Sequence, residues 1–88
     1  MCRSIKTLYN LDPPTSDDKV RAAAVQYVRK ISGYTKPSQA NEAAFARAVD
    51  AVADASRRLL ADLVTTAPPR DREQLAERAR QRAAERAA

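Results

Sequence analysis

Histidine is absent from this chain of 88 residues, while cysteine and glycine occur once each. Zinc and iron centres need several imidazole or thiolate ligands that converge on one point, so we expect no metal and no cofactor. A chain without histidine also lacks the base of a Ser/His/Asp triad or a Cys–His pair, and one glycine cannot form a phosphate-binding loop. The composition therefore predicts a protein that is not an enzyme.

Long apolar runs and paired cysteines are missing as well. No run approaches the length of a signal-peptide core or a membrane span, and a single cysteine cannot close an internal disulfide. We therefore expect a cytoplasmic protein without a membrane partner. Its formal net charge of +5 permits an anionic partner.

Alanine, arginine, aspartate, glutamate and leucine dominate the residues that are present, and all but aspartate favour helices. The predicted fold class is therefore all-α. A chain of this length builds only a small hydrophobic core, so we also expect a partner chain or a very regular helical packing.

The first predicted helix covers about residues 16–32. Ser16 is a good N-cap, Asp17 and Asp18 suit the first turn beside the positive end of the helix dipole, and Gly33 supplies the left-handed residue that ends the helix. Its apolar residues recur at helical intervals and form one stripe, Val20, Ala24, Tyr27, Val28 and Ile31.

The second predicted helix covers about residues 39–64 and carries a heptad pattern, Phe45, Val49, Val52, Ser56, Leu59 and Leu63. The connection of six residues, 33–38, is a usual length between neighbouring helices, so the two helices are predicted to form an antiparallel hairpin. The pattern has two interpretations that stay open here. It packs against the first helix, or two hairpins associate through it in a four-helix bundle.

An N-terminal arm precedes the hairpin and has apolar residues at intervals of three, Cys2, Ile5, Leu8 and Leu11. Because the second helix is longer than the first, its last two turns lack a covering helix. We expect the arm to pack there, on the leucines of residues 59–63. Pro13 and Pro14 hold Asp12 in an extended conformation.

The chain changes composition after residue 66. We expect a compact helical domain over residues 1–66 and an Ala/Arg-rich tail over residues 67–88. Asp71 and Gln74 suit the start of a third helix, in which Leu75 is the only large apolar residue. A helix with so little to bury is predicted to be weakly ordered, either helical or partly disordered.

Three stretches resemble a known family, MCRSIKTL at residues 1–8, AAAVQYVRKISGY at residues 22–34 and PSQANEAAF at residues 37–45. Together they are similar to the small bacterial proteins classed as domain of unknown function 2277, over about residues 1–64. The resemblance implies a bacterial, compact, helical protein. It carries no established activity.

Cys2, with Arg3 and Lys6 close by, is the first candidate binding site. If the initiator methionine is removed, Cys2 becomes the N-terminal residue, and its thiol, its amine and the nearby cations suit a nucleophile or a redox-sensitive thiol. The alternative is that Cys2 packs as a small hydrophobe at the head of the arm.

Three arginines of the tail form the second candidate site. Arg78, Arg82 and Arg86 are spaced four residues apart, so they form a stripe of like charge that an anionic surface would relieve. The alternative is an ordinary solvated face, because six basic and four acidic residues leave the tail a net charge of only +2.

These features predict a small interaction module that acts through an unknown protein partner or as a homodimer. Two alternatives remain. The arginine-rich tail serves an accessory nucleic-acid-binding protein, or Cys2 has a thiol or redox role.

Overall fold

The computed structural model describes residues 5–87. Three α-helices and two very short strands follow one another along the chain: β1 Leu11–Asp12, α1 Asp17–Ser32, α2 Glu42–Asp62, β2 Arg70–Asp71 and α3 Arg72–Ala87. A single 3-10 turn, Gln39–Asn41, leads into α2. Of the helices described, none is long and apolar enough to cross a membrane.

The ends of α1 follow directly from local side-chain chemistry. The Ser16 hydroxyl accepts a hydrogen bond from the Lys19 amide at 3.4 Å, which satisfies one of the free N–H groups of the first turn. At the other end Gly33 adopts a left-handed φ of 78° and donates its N–H to the Arg29 carbonyl. Both predicted ends of this helix are confirmed to within a residue.

The second helix is shorter than the sequence indicates. Residues 39–41 form a tighter turn, so α2 begins at Glu42, and it ends at Asp62 because Leu63 has an extended backbone with ψ of 141°. The β-branched residues 64–66 follow, and such residues have low helix propensity.

The hydrophobic core lies between α1 and α2 and is made of small side chains. Ala24 and Val28 of α1 meet Val49 and Ala53 of α2, and the last of these is completely buried. Partly buried apolar residues surround this cluster, Val25, Phe45, Ala48 and Val52. A core of alanine and valine buries little area, which limits the stability that it can supply.

The heptad pattern of α2 is divided between two directions. Successive side chains of an α-helix are about 100° apart, so Leu60, which is half-buried, and Leu59, which is 57% exposed, face different surroundings. Leu63 is also 43% exposed. The N-terminal arm was expected to cover the leucines of residues 59–63. It lies on the side of Leu60, so the prediction is wrong for Leu59 and Leu63.

A pair of parallel strands corrects the predicted all-α class. Leu11 of β1 lies opposite Arg70 of β2, and Asp12 lies opposite Asp71. The Arg70 amide donates to the Asn10 carbonyl at 2.9 Å. The chain is thus mostly helical with one short sheet that joins the arm to the start of α3.

The molecule is more extended than its length requires. Its radius of gyration is 15.5 Å, whereas a compact chain of this size has a value of about 12 Å. Helix α3 contributes to this shape, since most of its side chains are exposed and partial burial is confined to its first half, at Arg72, Leu75, Ala76 and Ala79.

Candidate interaction surfaces

Asn10 fastens the arm to the segment before α3. Its side-chain amide donates to two carbonyls, those of Ala67 at 3.3 Å and Pro68 at 3.2 Å. Its backbone adopts a left-handed φ of 57°, which asparagine tolerates better than most residues. Sequence reasoning missed this residue, because one asparagine before an apolar residue gives no recognisable signal.

Two arginines of the tail bind the arm as well. Arg70 donates from its guanidinium to the Tyr9 carbonyl at 3.4 Å, and Arg72 donates to the Pro13 carbonyl at 2.7 Å. Among the residues that the structure describes, these two side chains have no carboxylate at ion-pair distance and donate to main-chain oxygens instead. Part of the positive charge of the tail is therefore structural.

The arm encloses an open cleft of about 310 Å3 against the end of α2. Its lining is mainly apolar and consists of Leu8, Tyr9, Asn10, Leu11, Pro14, Thr15, Leu60 and Ala61. The Thr15 hydroxyl donates to the Leu8 carbonyl at 2.9 Å, and the Asn10 amide is bonded to the tail. Among the residues that the structure describes, none of those lining this cleft has a charged side chain.

Large apolar side chains remain exposed near the C-terminal ends of both long helices. Ile31 of α1 is 66% exposed, and Tyr27 and Tyr34 beside it are nearly half exposed. At the end of α2 the exposed ones are Leu59 and, just after the helix, Leu63 and Val64. Single exposed apolar residues are normal on a surface, whereas several large ones on so small a protein suit contact with a partner.

Ion pairs connect α1 to α2 on another side of the molecule. Arg21 and Asp50 approach to 2.8 Å, and Arg57 lies 4.0 Å from Asp17 and 3.9 Å from Asp54. Asp50 thus pairs with Arg21 of the neighbouring helix. All these groups are well exposed, so each pair contributes at most about 1 kcal/mol to stability.

The arginine stripe of α3 is exposed as predicted. Within the described part of the chain, no carboxylate lies at ion-pair distance from Arg78, Arg82 or Arg86. Glu85 nevertheless sits beside the last two in a shallow surface hollow. By contrast, Arg80 forms an ion pair with Glu77.

The other predicted site residues lie at the N-terminus. Lys6 is exposed on the arm, while Cys2 and Arg3 lie outside the described residues, so the thiol hypothesis stays a prediction. Over residues 5–87 there is no group of three His, Cys, Asp or Glu side chains that could hold a metal ion.

The fold defines a small, mostly helical protein with one parallel strand pair. Its sequence matches the model of a family described as "Uncharacterized conserved protein (DUF2277)" over residues 1–78, and the chain belongs to that family. The match confirms the resemblance seen in the first 64 residues and extends into α3. No curated protein and no solved structure matches the chain.

Proposed function

We propose that the protein is a helical interaction module that binds a protein partner through an apolar face of the α1–α2 pair. The observation that carries this proposal is the exposure of Tyr27, Ile31 and Leu59, three large apolar side chains on α1 and α2. Apolar area that stays in contact with water is a source of binding free energy when a partner covers it.

The ion pairs indicate how the two helices are oriented. Asp17, at the start of α1, pairs with Arg57 near the end of α2, whereas Arg21, one turn later, pairs with the earlier Asp50. Residue numbers thus increase along α1 while those of the paired residues decrease along α2. This order supports the antiparallel hairpin expected from the sequence.

This orientation brings the exposed apolar residues together on one side. At about 100° per residue, Tyr27 is turned about 120° away from Arg21, and Leu59 is turned about 180° away from Asp50. Both therefore face away from the ion-paired side of the hairpin. We call the resulting surface the apolar face; it consists of Ala23, Tyr27 and Ile31 of α1 and Phe45, Ala48, Val52, Ala55 and Leu59 of α2.

The total surface of the molecule also favours a partner. A folded monomer of 9.7 kDa exposes about 5,100 Å2, whereas this chain exposes 7058 Å2. The surplus of about 1,900 Å2 includes the protruding α3 as well as the apolar face. Because the hydrophobic core of this chain is small, a partner would contribute a larger share of its stability than in a larger domain.

Affinity capture with two tagged variants tests this function. Ile31→Asp places a charge on the apolar face, and Ala22→Asp places the same charge at an exposed position of α1 that faces elsewhere. We expect the Ala22→Asp variant to retain a protein from the native cell extract, identified by mass spectrometry, that Ile31→Asp loses. Identical sets of captured proteins would contradict the proposal.

A second candidate function rests on the exposed stripe of Arg78, Arg82 and Arg86. Because α3 protrudes and these guanidinium groups lack carboxylate partners among the described residues, the stripe suits phosphate contacts of an accessory nucleic-acid-binding protein. The net charge of +2 in residues 67–88 keeps this candidate second.

Substitution tests this candidate better than truncation, since removing residues 70–88 would also remove the bonds of Arg70 and Arg72 to the arm. Changing the three stripe arginines to glutamine should lower the salt dependence of binding to duplex DNA or RNA by about 2–3 counterions. Arg80→Gln is the matched control, since Arg80 is paired with Glu77. An unchanged salt slope, measured by fluorescence anisotropy, would exclude the stripe.

A further inference from the structure

We infer that the partner on the apolar face is a second copy of this chain, turned end for end, so that two hairpins form a four-helix bundle. This inference rests on the proposed function and adds the identity and orientation of the partner. Three features of the molecule carry it: the spacing of residues on α2, the distribution of charge between the two ends of the hairpin, and the exposed area.

The spacing on α2 is that of a helix made to pack on another helix. Phe45, Val52 and Leu59 are seven residues apart, and Ala48 and Ala55 lie between them at the intermediate heptad positions. Ala55 is exposed and Leu59 is 57% exposed, while Ala48 and Val52 are only partly buried. The core between α1 and α2 buries Val49 and Ala53, but Phe45, Ala48 and Val52 pack against it with only part of their surface. The stripe therefore keeps accessible apolar area, most of it at Ala55 and Leu59.

The pattern is symmetrical about Val52. Phe45 and Leu59 each lie seven residues from it, which is about 10 Å along a helix at 1.5 Å per residue. When two copies of α2 cross in opposite directions with Val52 near the two-fold axis, Leu59 of one copy meets Phe45 of the other. The contact between Leu59 and Phe45 then occurs twice, once on each side of the axis, as a closed two-fold dimer requires. The alanines between them let the two helix backbones approach closely.

Charge selects the end-for-end orientation over the parallel one. The end of the hairpin formed by residues 29–47 has four basic side chains and one acidic side chain, and the opposite end, residues 12–19 and 54–62, has five acidic and three basic side chains. Turning the second copy end for end places each basic end against an acidic end. A parallel copy would bring ends of like sign together, which disfavours association.

The exposed area is sufficient for a stable dimer. A specific interface buries roughly 800 Å2 on each copy. Two adjacent helices of the lengths seen here present a face of roughly 20 by 30 Å, which is of the right order for such an interface.

Sedimentation equilibrium of the full chain, with light scattering, tests the association. The wild type should show twice its chain mass of 9.7 kDa. Leu59→Asp should raise the dissociation constant at least tenfold, because it buries a charge against Phe45 of the other copy, while Ala22→Asp should leave it unchanged. Circular dichroism of Leu59→Asp checks that its helices are retained, as expected for a side chain 57% exposed in the single chain.

Disulfide trapping tests the orientation. In a Cys2→Ser background, copies with Phe45→Cys are mixed with copies of a different size that carry Leu59→Cys. End-for-end packing gives mixed disulfides between the two variants, and parallel packing gives disulfides between identical ones. Val52→Cys, which lies near the two-fold axis, should cross-link to itself in either orientation, so it reports only that the two α2 helices are in contact. Arg21→Cys, on the ion-paired side, is the control that should not cross-link.

The outcomes separate this inference from the proposed function. A mass of one chain at every concentration overturns the second copy as partner, as does a dimer that Leu59→Asp leaves intact or that traps identical cysteines at Phe45. In each of those cases capture that depends on Ile31 would still support an interaction module. A monomer that captures the same proteins with and without Ile31→Asp would overturn both the dimer and the proposed function.

Discussion

Replacing Asn10 by alanine should detach the arm from the segment that leads into α3. The change removes two hydrogen bonds, from the Asn10 amide to the carbonyls of Ala67 and Pro68. It also places alanine at a φ of 57°, which is a left-handed conformation. Both effects act on the same junction, and substitutions that differ in one property at a time can separate them.

The expected magnitude follows from these two effects. Exposed neutral hydrogen bonds contribute at the low end of their range, about 0.5 kcal/mol each, so the pair accounts for about 1 kcal/mol. The left-handed conformation costs a residue with a Cβ roughly 1 kcal/mol. The free energy of unfolding should therefore fall by about 2 kcal/mol, out of a total of roughly 4–13 kcal/mol for a domain of this length. In thermal unfolding this corresponds to a decrease in Tm of roughly 8–16 °C.

Urea unfolding followed by circular dichroism measures the loss, at a fixed protein concentration because association adds stability. Asn10→Gly tolerates the same φ but has no side-chain donor, so it should retain the conformational part of the stability and lose the hydrogen-bond part. Amide exchange of Arg70 reports the junction directly, since its N–H bonds to the Asn10 carbonyl at 2.9 Å. A stability within 0.5 kcal/mol of wild type together with unchanged Arg70 exchange in Asn10→Ala would refute the reasoning.

Two further substitutions test the packing of α2 and the end of α1. Ala53→Leu should lower the free energy of unfolding by about 1–3 kcal/mol, since Ala53 is fully buried and leaves no space for three more carbons; Ala51→Leu on the exposed surface of the same helix should change it by less than about 0.5 kcal/mol. Equal effects of the two in urea unfolding would mean that the contact between α1 and α2 is wrong. Gly33→Ala should reduce stability by about 1 kcal/mol through its φ of 78° alone, because no atom lies within 4 Å of the added Cβ. Gly33→Asn should recover part of that loss in thermal unfolding, and a fully stable Gly33→Ala would show that the helix does not end in this conformation.

Local chemistry made both ends of α1 and the start of α3 predictable. Ser16, Gly33 and Asp71 each act on backbone groups within four residues, so the sequence contains everything that the interaction needs. The predicted cap of α3 is confirmed in this way, since the Gln74 amide donates to the Asp71 carboxylate at 3.0 Å. Whether the tail is weakly ordered in solution stays a prediction.

The strand pair could not be found in the same way. Two-residue strands carry no periodic pattern, and the bonds that hold them join residues about sixty positions apart in the chain. Arg70 and Arg72 look like the other arginines of a basic tail until the structure places the arm beside them. The sequence predicted correctly that Asp12 is extended, but not which segment lies next to it.

The sequence also could not show that α2 has two distinct apolar faces. A heptad repeat has 3.5 residues per turn and an α-helix has 3.6, so in the sequence Val49 and Val52 both fit one heptad pattern. Burial separates them: Val49 packs into the core, whereas Val52 lies beside it on the apolar face. The heptad pattern therefore covers two neighbouring stripes of α2. One packs against α1, and the other is the stripe proposed to contact a second copy.

The pairing of β1 with β2 also sets an order of folding. Bringing Leu11 to Arg70 closes a loop of about sixty residues, whereas bringing α1 to α2 closes only the nine residues 33–41, and the difference in loop-closure entropy is worth about 1.7 kcal/mol. We expect the helix pair to form first and the arm to meet the tail afterwards. Substitutions at Asn10 should then accelerate unfolding while leaving the folding rate nearly unchanged, and those at Ala53 should slow folding.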